Sequence, residues 1–272
     1  MKYARKCLFA VLFVFSLSLL CSRAFAGNRL ERILKEGKVV VCCEPYFAPF
    51  AFIDNTKTGQ DQFRGSDMEL ARYVAKRLGV ELEIVGLSWD AVLAGIAQGK
   101  YDLALGGMAY TPQRAKNLEL SDIYISSNEG HSIIVRKENA DKYNSFDDFD
   151  GKVVGYHSGT LQEQLVKQQL PKANKKVFDS IQNAVLAVDA GKVDGVAVSV
   201  LNGDMFVASH PDLVVLPLRF TLEKQGDVIA ATKGEVELIE KVNGFIAEVK
   251  EQNLYPGWQN AAKAEAEKLG LK

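Results

Sequence analysis

The chain has 272 residues, 33 of them basic and 34 acidic, giving a formal net charge of −1, and 47% are hydrophobic. Without a basic excess there is no electrostatic footprint for nucleic acid or for an anionic membrane surface. The four cysteines stand in no spacing typical of a metal site, so neither a metal nor any other cofactor is expected to organise the chemistry.

The first 26 residues read as a secretory signal peptide. Lys2, Arg5 and Lys6 give a positive start, Leu8 to Leu20 form an almost unbroken apolar run, and Ala24-Phe25-Ala26 supplies a small-residue cleavage site. The run is shorter than the roughly 20 residues that span a bilayer. Cleavage is expected after Ala26. Acylation of Cys21 is the alternative, but Leu20 is bulky where a lipoprotein signal wants a small residue. The leader carries Lys2, Arg5, Lys6 and Arg23 and no acidic residue, so the mature 246 residues hold 29 basic against 34 acidic side chains and are expected to be soluble.

A short helix over Asn28 to Lys35, ended near Gly37, comes next. Val39 to Cys43 reads as a buried strand, with Cys42 and Cys43 as small core residues, since adjacent cysteines rarely satisfy disulfide geometry. Met68, Leu70, Ala71, Val74, Ala75 and Leu78 repeat at helical spacing, predicting a helix over Ser66 to Leu78 with Ser66 or Asp67 as cap and Gly79 as stop. A strand (Glu81 to Val85), a helix (Trp89 to Gln98) and a strand (Tyr101 to Leu105) complete an alternation that argues for a parallel α/β sheet. Lys137 to Asp150 is polar and is placed between the two halves. The rhythm then repeats: strand Gly151 to Tyr156, helix Thr160 to Gln169, strand Lys176 to Phe178, helix Ile181 to Ala190, strand Val193 to Val200. Gly226 to Ala231 is expected as a strand, with amphipathic helices over Glu235 to Glu251 and from about Pro256 to Leu269. Ligands of such sheets lie beyond the carboxyl ends of the strands. The loops to watch are therefore Glu44 to Phe52, Gly106 to Arg114, His157 to Thr160 and Ser199 to Asp204.

Those loops carry a resemblance. Leu30-x-x-Ile33-x-x-x-Gly37-Lys38-Val39, Ala48-Pro49-Phe50-x-Phe52 and Gly65-x-Asp67-x-Glu69-Leu70-Ala71 come first. Trp89-Asp90, Gly99-Lys100-Tyr101-Asp102, Gly106-Gly107-Met108 and Thr111-x-x-Arg114 follow, and then Phe149-Asp150-Gly151-Lys152-Val153-Val154-Gly155, Ser158-Gly159-Thr160 and Gly191-Lys192-Val193-Asp194. In this order, over nearly all of the mature chain, they resemble the family 3 extracellular solute-binding proteins. The resemblance implies a two-lobed α/β periplasmic-binding fold with two crossing hinge strands. Lobe one would comprise residues 27–127 and 228–272 and lobe two residues 128–227. The hinge would lie near Ser126-Ser127-Asn128 and Gly226-Asp227-Val228.

Site residues follow from the same resemblance. Arg114 would pair bidentately with a ligand carboxylate, a task suited to a planar guanidinium fork. Gly107 and Ala109 would bring backbone groups close to the ligand, although Ala109 lacks the hydroxyl common at that position. Phe47 and Trp89 would sandwich the ligand, Glu44 would read its side chain, and His157 would line the pocket. Thr160 and the amides after Gly159 would complete the carboxylate site at a helix N-terminus. Ser199 stands where amino-acid binders usually carry an Asp for the ligand's ammonium, which opens the choice to a keto or hydroxy acid unless Glu44 or Asp204 supplies the charge.

The implied function is a periplasmic, monomeric solute-binding protein that delivers a small carboxylate-bearing solute to an inner-membrane ABC permease. A sensor partner of another periplasmic system is one alternative. An enzyme of the cyclohexadienyl-dehydratase type, with Glu44 or His157 as proton donor, is the other.

Overall fold

The computed structural model describes residues 28–126, 129–222 and 224–271; the leader, its cleavage point, Cys21 and the expected hinge residues Ser127 and Asn128 lie outside them. Helix α1 (Arg29–Glu36) starts on Asn28, whose side chain accepts from Leu30 N, and stops at Gly37, with φ of 68°. Strand β1 (Lys38–Cys43) buries Val39 and Val41 on one face and Cys42 on the other, so the sheet it belongs to has a core on both sides. Both cysteines are free and buried, and burial pushes the Cys42 thiol up to about 12.

A small antiparallel sheet of β2 (Tyr46–Phe47), β3 (Ala51–Ile53) and β4 (Phe63–Arg64) follows, which the sequence does not announce. Helix α2 (Ser66–Leu78) begins one residue earlier than a Ser66 cap would require: Gly65 is the N-cap, and Ser66 and Asp67 lie inside the first turn. Glycine is required there. Its φ is 124°, and a Cβ would stand 2.2 Å from the Phe50 carbonyl oxygen. Gly65→Ala is expected to destabilise the protein by about 3 kcal/mol or more, measured by urea denaturation, because backbone strain and a backbone overlap add. A loss below about 1 kcal/mol would contradict this account.

Strand β5 (Glu81–Gly86), helix α3 (Trp89–Ala97) and strand β6 (Leu103–Ala104) come next, then helix α4 (Pro112–Asn117) and strand β7 (Leu118–Leu120). The second sheet is built from β8 (His131–Arg136), β9 (Val153–His157), β10 (Asn174–Phe178), β11 (Gly195–Ser199) and β12 (Leu213–Val215). Its helices are α5 (Leu161–Gln169), α6 (Ile181–Asp189) and α7 (Val200–Ser209). The chain then returns to the first sheet through β13 (Ala230–Thr232) and ends with α8 (Val236–Glu251) and α9 (Leu254–Lys268).

The first sheet has the order β5-β1-β6-β13-β7 and the second β10-β9-β11-β8-β12. Neither is wholly parallel. β13 runs antiparallel to β6 and β7, and β8 antiparallel to β11 and β12. Two sequence expectations change accordingly. The polar stretch 137–150 is not between the halves, because β8 precedes it and belongs to the second sheet; its 3-10 turns, Lys137–Lys142 and Phe146–Phe149, connect β8 to β9. The expected strand from Gly226 is paired regularly only over β13; upstream, Asp227 makes isolated bridges to Ala109 and Ile125.

One fastening occurs in both sheets. After Gly99, with φ of 71°, Asp102 accepts from Val40 N at 2.8 Å, and Arg29 and Arg32 pair with the same carboxylate. After Gly191, with φ of 66°, Asp194 accepts from Val153 N at 2.7 Å. Each Gly-Lys-x-Asp motif thus anchors the strand it leads into to the start of its parallel neighbour. The lobes are joined by two crossing segments, which meet where Asp227 N donates to Ile125 O (2.9 Å) and Tyr124 N donates to Asp227 O (3.0 Å).

Candidate ligand-binding site

The carboxyl ends of the parallel strands of both sheets converge on one cavity of about 90 Å³. Glu44 follows β1, Trp89 follows β5, Gly107 and Ala109 follow β6, His157 ends β9, Thr160 follows it, and Ser199 ends β11. These residues, with Phe47 and Arg114, all line the cavity, so the structure brings together the nine site residues that the resemblance implied.

Arg114 lies in α4, whose cap Thr111 accepts from Arg114 N at 3.1 Å. Its side chain is buried, 5.1 Å above the Trp89 ring, and donates to Ala109 O (2.5 Å) and, across the cleft, to Gly159 O (3.0 Å). Burial pulls the guanidinium down to about 10, opposed by Asp227, so it remains a cation at neutral pH. Trp89 Nε1 donates to the same Gly159 carbonyl at 3.3 Å, and Asn202 Nδ2 reaches Ala48 O at 3.2 Å. These three bonds cross between the lobes and hold the cleft shut.

Phe47 stacks on Phe50 with ring centroids 5.3 Å apart, and both rings face the cavity. Gly107, with φ of 66°, has the Phe47 ring 2.5 Å from where a Cβ would sit, so only a glycine admits that ring. The Gly106–Gly107 turn is hung on Asp67: both amides donate to its Oδ2, at 2.9 and 2.7 Å, beside Tyr124 Oη at 2.7 Å, and Tyr255 Oη donates to Oδ1. Thr160 is the cap of α5. Its hydroxyl donates to His157 O at 2.7 Å, while Gly159 N is taken up by Glu163. Ser199 caps α7 by accepting from Asn202 N. Asp204, offered on the sequence as a substitute charge, is exposed on α7 and does not line the cavity, which removes it from that role.

Five polar residues that the sequence did not single out for the site also line the cavity: His131, Gln162, Asn202, Gln225 and Asp227. His131 opens β8, where its register partner is Ser199, and its Nδ1 lies 3.1 Å from Gln162 Nε2. The Oδ1 atom of Asn202 is buried with no hydrogen-bond partner among the described residues. Glu44 and Asn202 line a second cavity too, of about 550 Å³, which extends past Ala48, Phe52 and Met205.

Burial sets the charge states. It pushes Glu44 to about 7, with Asp90 adding to the effect and the Trp89 N–H opposing it. Asp227 is likewise raised to about 7 by desolvation and by Asp67, against the pull of Arg114. Desolvation lowers His131 to about 4 and also lowers His157, whose Nε2 is 4.0 Å from Glu44 Oε1. A carboxyl raised above its unfolded value binds more protons in the folded state, so stability falls as pH climbs from the ordinary Glu range to about 7 and is flat beyond. Glu44→Gln removes that cost. Relative to wild type, the variant is expected to gain roughly 2–3 kcal/mol between pH 4 and pH 8 in urea denaturation at both pH values. A pH-independent difference would overturn the assignment.

Comparison with known proteins gives a concordant result. The model of the bacterial extracellular solute-binding proteins, family 3, matches residues 39–260. The L-cystine-binding protein TcyJ of Escherichia coli is 28% identical over 249 residues, covering 90% of each chain. The arginine-binding extracellular protein ArtP of Bacillus subtilis is 29% identical over 218 residues, covering 79% of this chain and 81% of its own. Among solved structures, the amino acid ABC transporter substrate-binding protein AbpA of Streptococcus pneumoniae, bound to L-arginine, superposes with a TM-score of 0.80 at 32% identity, covering 89% of this chain and 99% of that one. An ancestral amino acid-binding protein, a precursor of cyclohexadienyl dehydratase, gives 0.76 at 30% identity, covering 86% and 99%.

Proposed function

The chain belongs to the bacterial extracellular solute-binding proteins, family 3, and on that premise we propose that it traps a small solute bearing an α-carboxylate, foremost an amino acid, and delivers it to an inner-membrane ABC permease. Arg114 carries the reading. It is a buried cation on the cavity wall, bonded to two carbonyl oxygens and to no carboxylate among the described residues. A solute carboxylate replaces those neutral acceptors with a charge-assisted bidentate pair. Relatives named for L-cystine and arginine support an amino acid over other carboxylates. The space beyond Glu44 and Asn202 supports a long polar side chain read by Glu44.

The lobes in this reading comprise residues 27–127 with 228–272 and residues 128–227. Closure is a hinge movement about the crossing segments, driven by preferential binding to the closed form. The protein is secreted with its leader removed after Ala26 and works as a periplasmic monomer. It acts as a binder and not as a catalyst, in keeping with the binding roles in the names of its relatives.

The test is a thermal-shift and calorimetric screen of the mature protein against L-amino acids, their keto and hydroxy analogues, and prephenate. A solute at 100 times its dissociation constant adds about 2.7 kcal/mol of stability. Saturable binding of one α-carboxylate class is the expected result. No binding by any of them sinks the reading. Because a carboxyl with a pKa of about 7 is a competent proton donor, the prephenate arm is also followed by absorbance, and turnover there would replace binding with catalysis.

A further inference from the structure

We propose that Asp227, on the crossing segment that enters β13, is the counter-charge for the ligand's ammonium group. The proposal rests on the amino-acid reading above and names the residue that completes it. An α-amino acid offers a carboxylate and an ammonium on one carbon, so its site needs a cation and an anion side by side that do not neutralise each other. The cavity's charged side chains are Glu44, Arg114 and Asp227, with the imidazoles of His131 and His157.

Asp227 meets the requirement on three counts. Its backbone bridges Ala109, whose carbonyl is held by Arg114 Nη1, so the carboxylate springs from the strand beside the guanidinium's own anchor. Arg114 acts on the Asp227 charge and is absent from the influences on Glu44. Yet among the described residues the guanidinium spends its hydrogen bonds on the Ala109 and Gly159 carbonyls, and the Asp227 carboxylate makes none. The two charges are neighbours without being a closed ion pair.

The backbone fixes this placement. Asp227 N and O are both bonded to the segment Tyr124–Ile125, and the adjacent Tyr110 N to Gly226 O (2.8 Å) and Val228 N to Met108 O (2.9 Å) bonds pin its other side. Gly226, with φ of 146°, has no room for a Cβ, which would stand 2.3 Å from Ile123 Cγ2 and 2.7 Å from Ile125 O. The remaining candidates are committed elsewhere. Ala109 has no polar side-chain atom, the Ser199 hydroxyl caps α7, and Glu44 stands at the junction with the second cavity beside His157. Since Asp227 bridges Ala109, the same backbone unit that carries the Gly106–Gly107 turn presents both charges, and the zwitterion is held before the second lobe closes.

The experiment compares amino and des-amino probes: L-arginine with 5-guanidinopentanoate, L-glutamine with glutaramate, and L-leucine with 4-methylpentanoate. Affinities are measured by calorimetry for wild type, Asp227→Asn and Arg114→Ala. In wild type the preferred L-amino acid is expected to bind roughly 30-fold more tightly than its des-amino partner, as befits a hydrogen bond to a charged group. In Asp227→Asn the ratio is expected to fall below about threefold, with des-amino binding retained as proof of a folded cavity. Should that variant not fold, the comparison is repeated with Asp227→Ser. An unchanged ratio in the Asp227 variant, with both probes lost in Arg114→Ala, overturns the Asp227 assignment and leaves the carboxylate reading standing. Failure of every probe to bind wild type overturns both.

Discussion

Arg114→Ala is expected to weaken the preferred carboxylate solute by roughly 100- to 1000-fold, because truncating one partner of a buried charge pair costs about 3–4 kcal/mol and leaves the other charge unpaired. Arg114→Lys is expected to lose nearly as much, since an ammonium cannot reproduce two parallel N–H bonds or lie flat over the Trp89 ring. Stability moves the other way. Burial lowers the Arg114 pKa to about 10, so the folded state bears a cost for holding this charge at every pH below that value. Arg114→Met, which fills similar volume without charge, is therefore expected to melt at or above wild type while failing to bind. Calorimetry and thermal denaturation on the same samples separate the two effects. A variant that binds normally, or one that merely unfolds, refutes the role given to Arg114.

Asp67→Ala carries the largest expected loss of stability, on the order of 3–5 kcal/mol by urea denaturation. Its carboxylate accepts from the Gly106 and Gly107 amides and from the Tyr124 and Tyr255 hydroxyls, all in the dry space beneath the cavity. Removing it strands the Gly106 and Gly107 amides and the Tyr124 hydroxyl at once, while the Tyr255 hydroxyl keeps Ser66 Oγ at 3.0 Å, and an unsatisfied buried donor costs about 1–3 kcal/mol before relaxation. Burial pushes the Asp67 carboxyl up, and those donors are what oppose it. Asp67→Asn is expected to fall between, because its amide must point a donor at another donor. Solute affinity should drop as well, since Gly107 and the Phe47 ring above it lose their footing. Normal affinity in a destabilised Asp67→Asn would show that the turn needs no such anchor.

Much of this molecule is legible in local pattern. The helical spacing from Met68 to Leu78, with Gly79 as stop, gives α2 to the residue at its C-terminal end, and the Val39 to Cys43 run gives β1 to within one residue. Gly65 is a different case: its need for a positive φ comes from the Phe50 carbonyl, fifteen positions away, so Ser66 is the natural but mistaken choice of cap. Helix α7 was missed because the apolar run Val196 to Val200 continues strand-like through Ser199, the residue that ends one element and caps the next. The short edge pieces β2, β3 and β4 are too brief to show a period.

The sequence by itself determined most of the strand–helix alternation and the loops that close several parallel strands, while Glu44, Trp89, Gly107, Arg114, His157, Thr160 and Ser199 were singled out within that frame by the family resemblance. Those signals are local, since side-chain periodicity and capping chemistry act within a few residues. Tertiary structure alone decided that β8 and β13 run against their neighbours. An antiparallel strand presents its beginning at the edge where parallel strands present their ends. His131 at the start of β8 and Asp227 before β13 therefore reach the same cavity from the opposite chain direction. Strand direction depends on which partners pair across the sheet, and no window of neighbouring residues encodes that.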